Sequence, residues 1–203
     1  MKKKIISFLI LIFFTNFQAL AKNNHKLVLG EENTNVTIKV FSSLTCSYCA
    51  RFHLSVFDSL NENYIQNGKV RFEHYAFPLD LAALSAEKML RCKNDSKKFQ
   101  LLREIYSKQS TWTKGNDINT INNALKKIGI KFGLTSQEMT NCFNNDKLTN
   151  IVLEERINAQ KKFNIESTPT IFINDKKYKG SHKFSELEKE IKKKLNLNLK
   201  NWK

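Results

Sequence analysis

Apolar residues recur with two different periods along this chain, and the changes of period mark out its elements. Val36-Thr37-Ile38-Lys39-Val40-Phe41 alternates, as a strand does with one face in a core. Lys26-Leu27-Val28-Leu29 before it, closed by Gly30 and the polar run from Glu31 to Asn35, predicts a short edge strand. From Tyr48 to about Gln66 the period is helical, with Phe52, Val56 and Leu60 on one side, until Asn67-Gly68 stops it. Val70 to Phe77 is β-rich again and ends at Pro78. Strand, helix and strand at this spacing predict a βαβ unit, whose helical crossover makes the two strands parallel.

Between Asp80 and Phe163 no segment reads as a strand. Asp80 is placed to cap a helix running to about Cys92, and Asp95 or Ser96 to cap one carrying Phe99, Leu102 and Tyr106. Ile118, Ile121, Leu125 and Ile128 repeat at helical spacing, and Gly129 is expected to end them. Thr135-Ser136-Gln137-Glu138 is a capping box, with Leu134 and Met139 as its hydrophobic staple. A further helix is expected from about Lys147 to Phe163. The β period returns at Thr168-Pro169-Thr170-Ile171-Phe172-Ile173, turns at Asn174-Asp175 and pairs with Lys177-Tyr178-Lys179, and Gly180 ends the hairpin. Phe184, Leu187, Ile191 and Leu195 predict a closing amphipathic helix before a polar tail, from Asn196, that is expected to fray.

The first 21 residues change the reading of the composition. Met1-Lys2-Lys3-Lys4, an apolar run from Ile5 to Phe17 and the small-residue pattern Ala19-Leu20-Ala21 form a secretory signal peptide. The run falls short of the ~20 residues of a spanning helix, an uncleaved anchor being the alternative. No cysteine follows it to carry a lipid. The chain has 34 Lys and Arg against 19 Asp and Glu, a formal charge of +15, and losing Lys2, Lys3 and Lys4 leaves +12. These charges are spread out rather than clustered with aromatics, and an exported protein rarely meets nucleic acid, so no nucleic-acid partner is expected.

The chemistry lies in Cys46-Ser47-Tyr48-Cys49, which leaves a predicted strand and opens a predicted helix. The spacing lets two sulfurs close a small ring at the first helical turn. Free N–H groups and the positive end of the helix dipole favour a thiolate on Cys46, the species that attacks and leaves in disulfide exchange. Two other readings compete. Cys46, Cys49 and His53 have zinc-ligand spacing, but a fourth ligand would have to come from Cys92, Cys142 or another His, none in a second close pair; no metal is expected. A purely structural Cys46–Cys49 bond closes too short a loop to restrain the unfolded chain much. His53 shares a helix face with Cys49 and is read as a satisfied structural histidine, while His25, His74 and His182 fit no constellation. Tyr48 is either an apolar rim for substrate or an exposed turn aromatic.

Cys92 and Cys142 each follow an apolar residue by three positions, Met89 and Met139, so both are expected to face the core of the helical region. An even cysteine count in an exported chain favours a disulfide between them, with two buried free thiols as the alternative.

Pro169 opens a strand-like run where a central ladder needs the N–H that proline lacks. Either a cis peptide after Thr168 or an ordinary trans turn accounts for it. A βαβ unit with Cys-x-x-Cys at its helix start, then a proline-led hairpin and a helix, is the order of the thioredoxin fold. With a helical insertion between the halves, the chain resembles the DsbA-like branch of exported thiol:disulfide oxidoreductases from about Lys26 to Leu195. The residues carrying the resemblance are Val36 to Phe41, Cys46 to Cys49, Thr168 to Asn174, and Gly180.

The resemblance implies an α/β thioredoxin fold formed by residues 22–80 and 164–203, interrupted by an all-helical subdomain at 81–163. It implies that Cys46 is the exposed attacking sulfur and Cys49 the buried resolving one, supported by Ser47, Tyr48, Thr168 and Pro169. The Thr168–Pro169 bond would be cis, and Thr168 would pair with substrate as an added strand. Relatives also carry a disulfide at the places of Cys92 and Cys142. The expected partners are exported proteins with unpaired cysteines and a membrane redox protein, quinone-linked or an electron donor. The expected location is the periplasm, no cofactor is needed, and no dimerisation domain precedes Leu27, which implies a monomer. A secreted binding protein retaining the fold without the chemistry is the reading from a different class.

Three positions depart from the pattern. Val40 stands six residues before Cys46, where many thioredoxin-like proteins hold a buried acid. Ser47-Tyr48 replaces the Pro-His dipeptide of the strong oxidant, so Cys46 is expected to be acidified mainly by the helix terminus. Thr168 replaces the oxidant's Val, as in isomerase-type relatives, which leaves the direction of the reaction open.

Overall fold

In the computed structural model, residues 27–93 and 96–200 are described, with side chains as far as residue 196. The segment expected to be a signal peptide, His25 and Asp95 lie outside the described residues. Five strands form one sheet: β1 (Leu27–Leu29), β2 (Val36–Ser42), β3 (Val70–Ala76), β4 (Thr170–Ile173) and β5 (Lys176–Lys177), in the order β1-β3-β2-β4-β5. β2 is central, parallel to β3 from Val36↔Val70 to Ser42↔Ala76 and antiparallel to β4 from Ile38↔Ile173 to Phe41↔Thr170. Its alternation sends Val36, Ile38 and Val40 into one core with Phe52, Val56, Leu60, Leu187 and Ile191. Phe41 points to the other face, with Phe77, Ala159, Ile165 and Phe172.

The helix expected from Tyr48 is broken at Val56 into α1 (Ser47–Ser55) and α2 (Phe57–Leu60), followed by a π turn at Asn61–Ile65. The wider turn lets adjacent Tyr64 and Ile65 both reach the core. The hairpin strand β5 is shorter than expected and starts one residue earlier. The closing helix, α9 (Phe184–Lys200), runs on through Asn196, where fraying was expected; Leu and Lys are good helix formers.

Six helices separate β3 from β4: α3 (Leu81–Cys92), α4 (Lys98–Ser107), α5 (Gln109–Trp112), α6 (Ile118–Lys131), α7 (Ser136–Phe143) and α8 (Asp146–Phe163). Asp80 caps α3 by accepting from Ala83 N at 2.7 Å, and Thr135 and Glu138 form the full capping box of α7. Three details differ from the sequence reading. Ser96 does not cap α4, which starts after Lys97 with no side-chain cap bond. The short α5 was not expected. α6 passes through Gly129 and stops at Gly133, whose φ of +83° allows Gly133 N to bond Ile130 O at 3.0 Å and Leu134 N to bond Gly129 O at 3.1 Å. Gly129 is there for another reason: a Cβ on it would collide with the Met139 sulfur, so α6 and α7 touch at a bare backbone.

A disulfide joins Cys92 at the end of α3 to Cys142 in α7, with Cα atoms 6.4 Å apart. The helical core contains Met89, Leu101, Leu102, Ile105, Trp112, Leu125 and Met139, and it also takes in Leu44, Cys46, Cys49 and Ala50 from the start of α1.

Candidate active site

β2 ends at Ser42, and four residues bring the chain to α1. Cys46 is the N-cap of α1, in extended conformation, and its own sulfur makes the capping bond, accepting from Cys49 N at 3.3 Å. A serine or threonine oxygen makes this bond in an ordinary helix, so the Cys46 sulfur occupies the position with the most unpaired N–H groups. The residues of the resemblance's site come together here. Cys46 is 9% exposed and Cys49 0%, so the outer sulfur shows only a small face, less than the exposed position expected for it. Neither cysteine is bonded to the other. The Thr168–Pro169 peptide is cis, and Thr168 O lies 3.3 Å from the Cys46 sulfur. Pro169 precedes the first residue of β4, so its missing N–H takes nothing from the ladder.

The two sulfurs are driven apart in acidity. Cys46 is held down to about 5, foremost by a hydrogen bond from the Cys49 side chain. Burial opposes this, and the Thr168 side chain and the N–H groups of Cys49 and Tyr48 add to it. The helix terminus expected to dominate therefore ranks below the neighbouring thiol. Burial, then the hydrogen bond to Cys46 and its charge, push the Cys49 thiol far up. One ionised sulfur with a small exposed face, backed by a neutral one beneath, is an arrangement for attack followed by resolution.

Around this pair, Ser47 and Tyr48 are exposed, Tyr48 at 64%, with the Arg51 guanidinium 5.2 Å from its ring centre. Leu79 and Leu81 are also exposed, the latter at 69%, on the segment that Leu79 N ties to Ser43 Oγ at 3.3 Å. Asp80, which caps α3 with one oxygen, accepts from Thr45 Oγ1 with the other at 2.8 Å. From the helical side, Tyr106 OH donates to Ser43 O at 3.5 Å, and Gln109 Nε2 donates to Leu44 O at 2.8 Å and Cys46 O at 3.1 Å. Sequence reading found Asp80 only as a cap and missed Tyr106 and Gln109 as site residues.

Two histidine readings need correction. His53 is buried and stacks on Tyr106 at 4.8 Å, but its Nε2 has no hydrogen-bond partner among the described residues, and burial keeps its pKa well below that of a free imidazole. His74 does have a constellation. Its Nε2 is 2.8 Å from Glu87 Oε1, Arg91 stands 3.9 Å from the other Glu87 oxygen, and Arg91 also pairs with Glu155 at 2.7 Å. In the sheet, His74 lies opposite Val40. No cluster of three metal-ligating side chains occurs among the described residues, and no helix there is long and apolar enough to cross a membrane.

The chain is similar to known proteins. A Rickettsia conorii protein, provisionally named a protein-disulfide oxidoreductase, is 31% identical over 153 residues, 75% of this chain and 54% of its own length. The chain thus spans about half the length of its curated rickettsial relatives. Disulfide bond formation protein D of Bacillus subtilis is 27% identical over 180 residues, covering 83% of this chain and 76% of that protein. The crystal structure of Wolbachia pipientis alpha-DsbA1 superposes with a TM-score of 0.80 at 23% identity, over 88% of this chain and 94% of that one. The family model described as Thioredoxin matches residues 22–193. That match leaves only the two ends of the chain outside it, and the chain belongs to the thioredoxin family, with the DsbA-like form of its fold.

Proposed function

We propose that this protein is an exported thiol:disulfide oxidoreductase working through Cys46 and Cys49. The observation that carries the reading is the acidified, slightly exposed sulfur backed by a buried neutral one, both beside Thr168. In the oxidised enzyme a substrate thiolate attacks Cys46 Sγ, a mixed disulfide forms, and Cys49 leaves with the electron pair and takes up a proton. A second substrate thiolate then attacks the substrate sulfur of the mixed disulfide, and Cys46 leaves as a thiolate. Two substrate thiols become one disulfide, and the Cys46–Cys49 pair holds the two electrons. A low pKa makes Cys46 the better leaving group and stabilises the reduced pair, which favours the oxidising direction.

Thr168 supports a second reading. It shares its residue type with isomerase-type relatives, in which reduced Cys46 would attack a wrong disulfide. Equilibration with glutathione decides between them, a strongly oxidising couple supporting the first. The substrates in both are exported proteins with unpaired cysteines, entering as an added strand at Thr168, with Tyr48, Leu79 and Leu81 as an apolar rim. A membrane protein would exchange electrons with the spent pair. Residues 1–21 would direct export to the periplasm, where a monomer works with residues 22–80 and 164–203 as its thioredoxin-like domain and 81–163 as its helical subdomain. Oxidative refolding of a reduced test protein should be catalysed by the wild type and lost in Cys46→Ala; equal rates would remove the proposal. N-terminal sequencing of the exported protein should begin near Lys22.

A further inference from the structure

The loop that presents Cys46 is held from a distance. Ser43, Leu44 and Cys46 carry three carbonyls within four residues, and each receives a donor from the junction of α4 and α5, from Tyr106 in the last turn of α4 or Gln109 at the start of α5. Gln109 makes the two shorter bonds with the two hydrogens that one amide nitrogen possesses. Leu44 is fully buried, so its carbonyl would lose much without that partner. Cys46 O already accepts the first helical bond from Ala50 N at 3.1 Å, and Gln109 fills its second lone pair.

Gln109 is itself fixed. Trp112 is buried one turn later and donates to Ile105 O at 2.8 Å, while Thr113 Oγ1 donates to Gln109 O at 2.6 Å. The bond between Cys46 Sγ and Cys49 N needs Cys46 kept at φ −77° and ψ 118°, outside the helix it caps. The cysteine pair also packs into the helical core.

We infer that Gln109 is a positioning residue for the cysteine pair: its amide fixes the backbone of Leu44 and Cys46, keeps the Cys46 sulfur over Cys49 N–H, and so ties the helical insertion to the reactivity of that pair. This rests on the oxidoreductase reading, and it acts through backbone carbonyls, without touching substrate. Asp80, through Thr45, and Tyr106 are the ionisable groups that hold the same loop.

The test uses the full chain with Gln109→Ala and Gln109→Glu, the second keeping the size while setting a carboxylate against two carbonyls. Thiolate absorbance at 240 nm against pH in the reduced proteins reports Cys46, because Cys49 ionises far higher. The Cys46 midpoint should rise by roughly 0.5–1 unit in Gln109→Ala and at least as much in Gln109→Glu, the size expected for losing a hydrogen bond. The equilibrium constant with glutathione should shift about 3–10-fold toward the disulfide, up to about 30 mV for a two-electron couple. If Gln109→Ala does not fold, Gln109→Glu is read alone. A folded variant with lowered melting temperature but an unchanged midpoint and equilibrium constant makes Gln109 a mere fastener and overturns the inference. If the wild type exchanges with no disulfide at all, the proposed function fails, while the thiolate titration still decides the role of Gln109.

Discussion

At the scale of single residues, the decisive fact is that two cysteines three positions apart have opposite acidities. The sign of the pH dependence follows. Cys46, depressed to about 5 in the fold against ~8.5 unfolded, stabilises the reduced protein fully above the unfolded value and loses that contribution as pH falls through 5. Cys49, raised, is neutral in the fold while the unfolded chain ionises, so stability declines again above about 8.5. In urea unfolding, the stability of reduced minus oxidised protein should therefore climb from pH 5 to about 8.5. A difference that falls over this range would contradict the Cys46 assignment. Thr168 acts on the same sulfur: its hydroxyl oxygen is buried, meets the hydrogen-bond geometry with none of the described residues, and lowers both cysteines. Thr168→Val keeps the shape and removes the hydroxyl, so the Cys46 midpoint at 240 nm should move up. An unchanged midpoint would leave the hydroxyl without a role there.

Among elements, α6 and α7 meet closely at Gly129. Gly129→Ala would drive a methyl group into Met139 and, through it, toward Met89, so roughly 1–3 kcal/mol of stability should be lost. Gly133→Ala fails differently, by forcing a side chain into a positive φ at the end of α6. The Cys92–Cys142 bond closes a sequence separation of 50 between α3 and α7. In the chain-entropy model such a loop contributes about 4 kcal/mol. A Cys92→Ala/Cys142→Ala variant should melt lower while its thiolate titration stays near that of the wild type. An unaltered melting temperature would show that the bond restrains nothing.

On the scale of the molecule, sheet and helical insertion are joined by buried polar contacts as well as by apolar packing. His74 of β3, Glu87 and Arg91 of α3 and Glu155 of α8 form one chain of contacts, and Glu155 also accepts from Ala76 N. Arg156 of α8 adds a bond to Pro78 O at 2.6 Å. Removing Glu87 leaves the buried Nε2 of His74 without its partner, so Glu87→Ala should cost roughly 1–3 kcal/mol. Replacing the whole set by apolar residues of similar volume should recover much of this. A Glu87→Ala variant as stable as the wild type would mean that the network is incidental.

Much of this was legible without coordinates, for a physical reason. The alternation of β2, the Asp80 cap and the Thr135 capping box depend on residues within one or two turns of each other, and each stands where the sequence placed it. The cysteine pair and the proline-led hairpin were legible because helix starts and strand starts are local events too. Gly129 misled because a glycine near the end of a helical pattern reads as a stop, and only the crossing of α7 explains why it lies inside. What the tertiary structure alone decided are contacts across long separations. Gln109 meets Leu44 and Cys46 across 65 and 63 residues, and His74 meets Glu87 from a different element. A glutamine on a four-residue helix carries no local mark of such a task, since its partners are backbone carbonyls, which every residue has. Likewise the first place of the Cys49 thiol among the groups that acidify Cys46 depends on how deeply the packing of α4 and α5 buries that second sulfur, and no spacing along the chain encodes a depth.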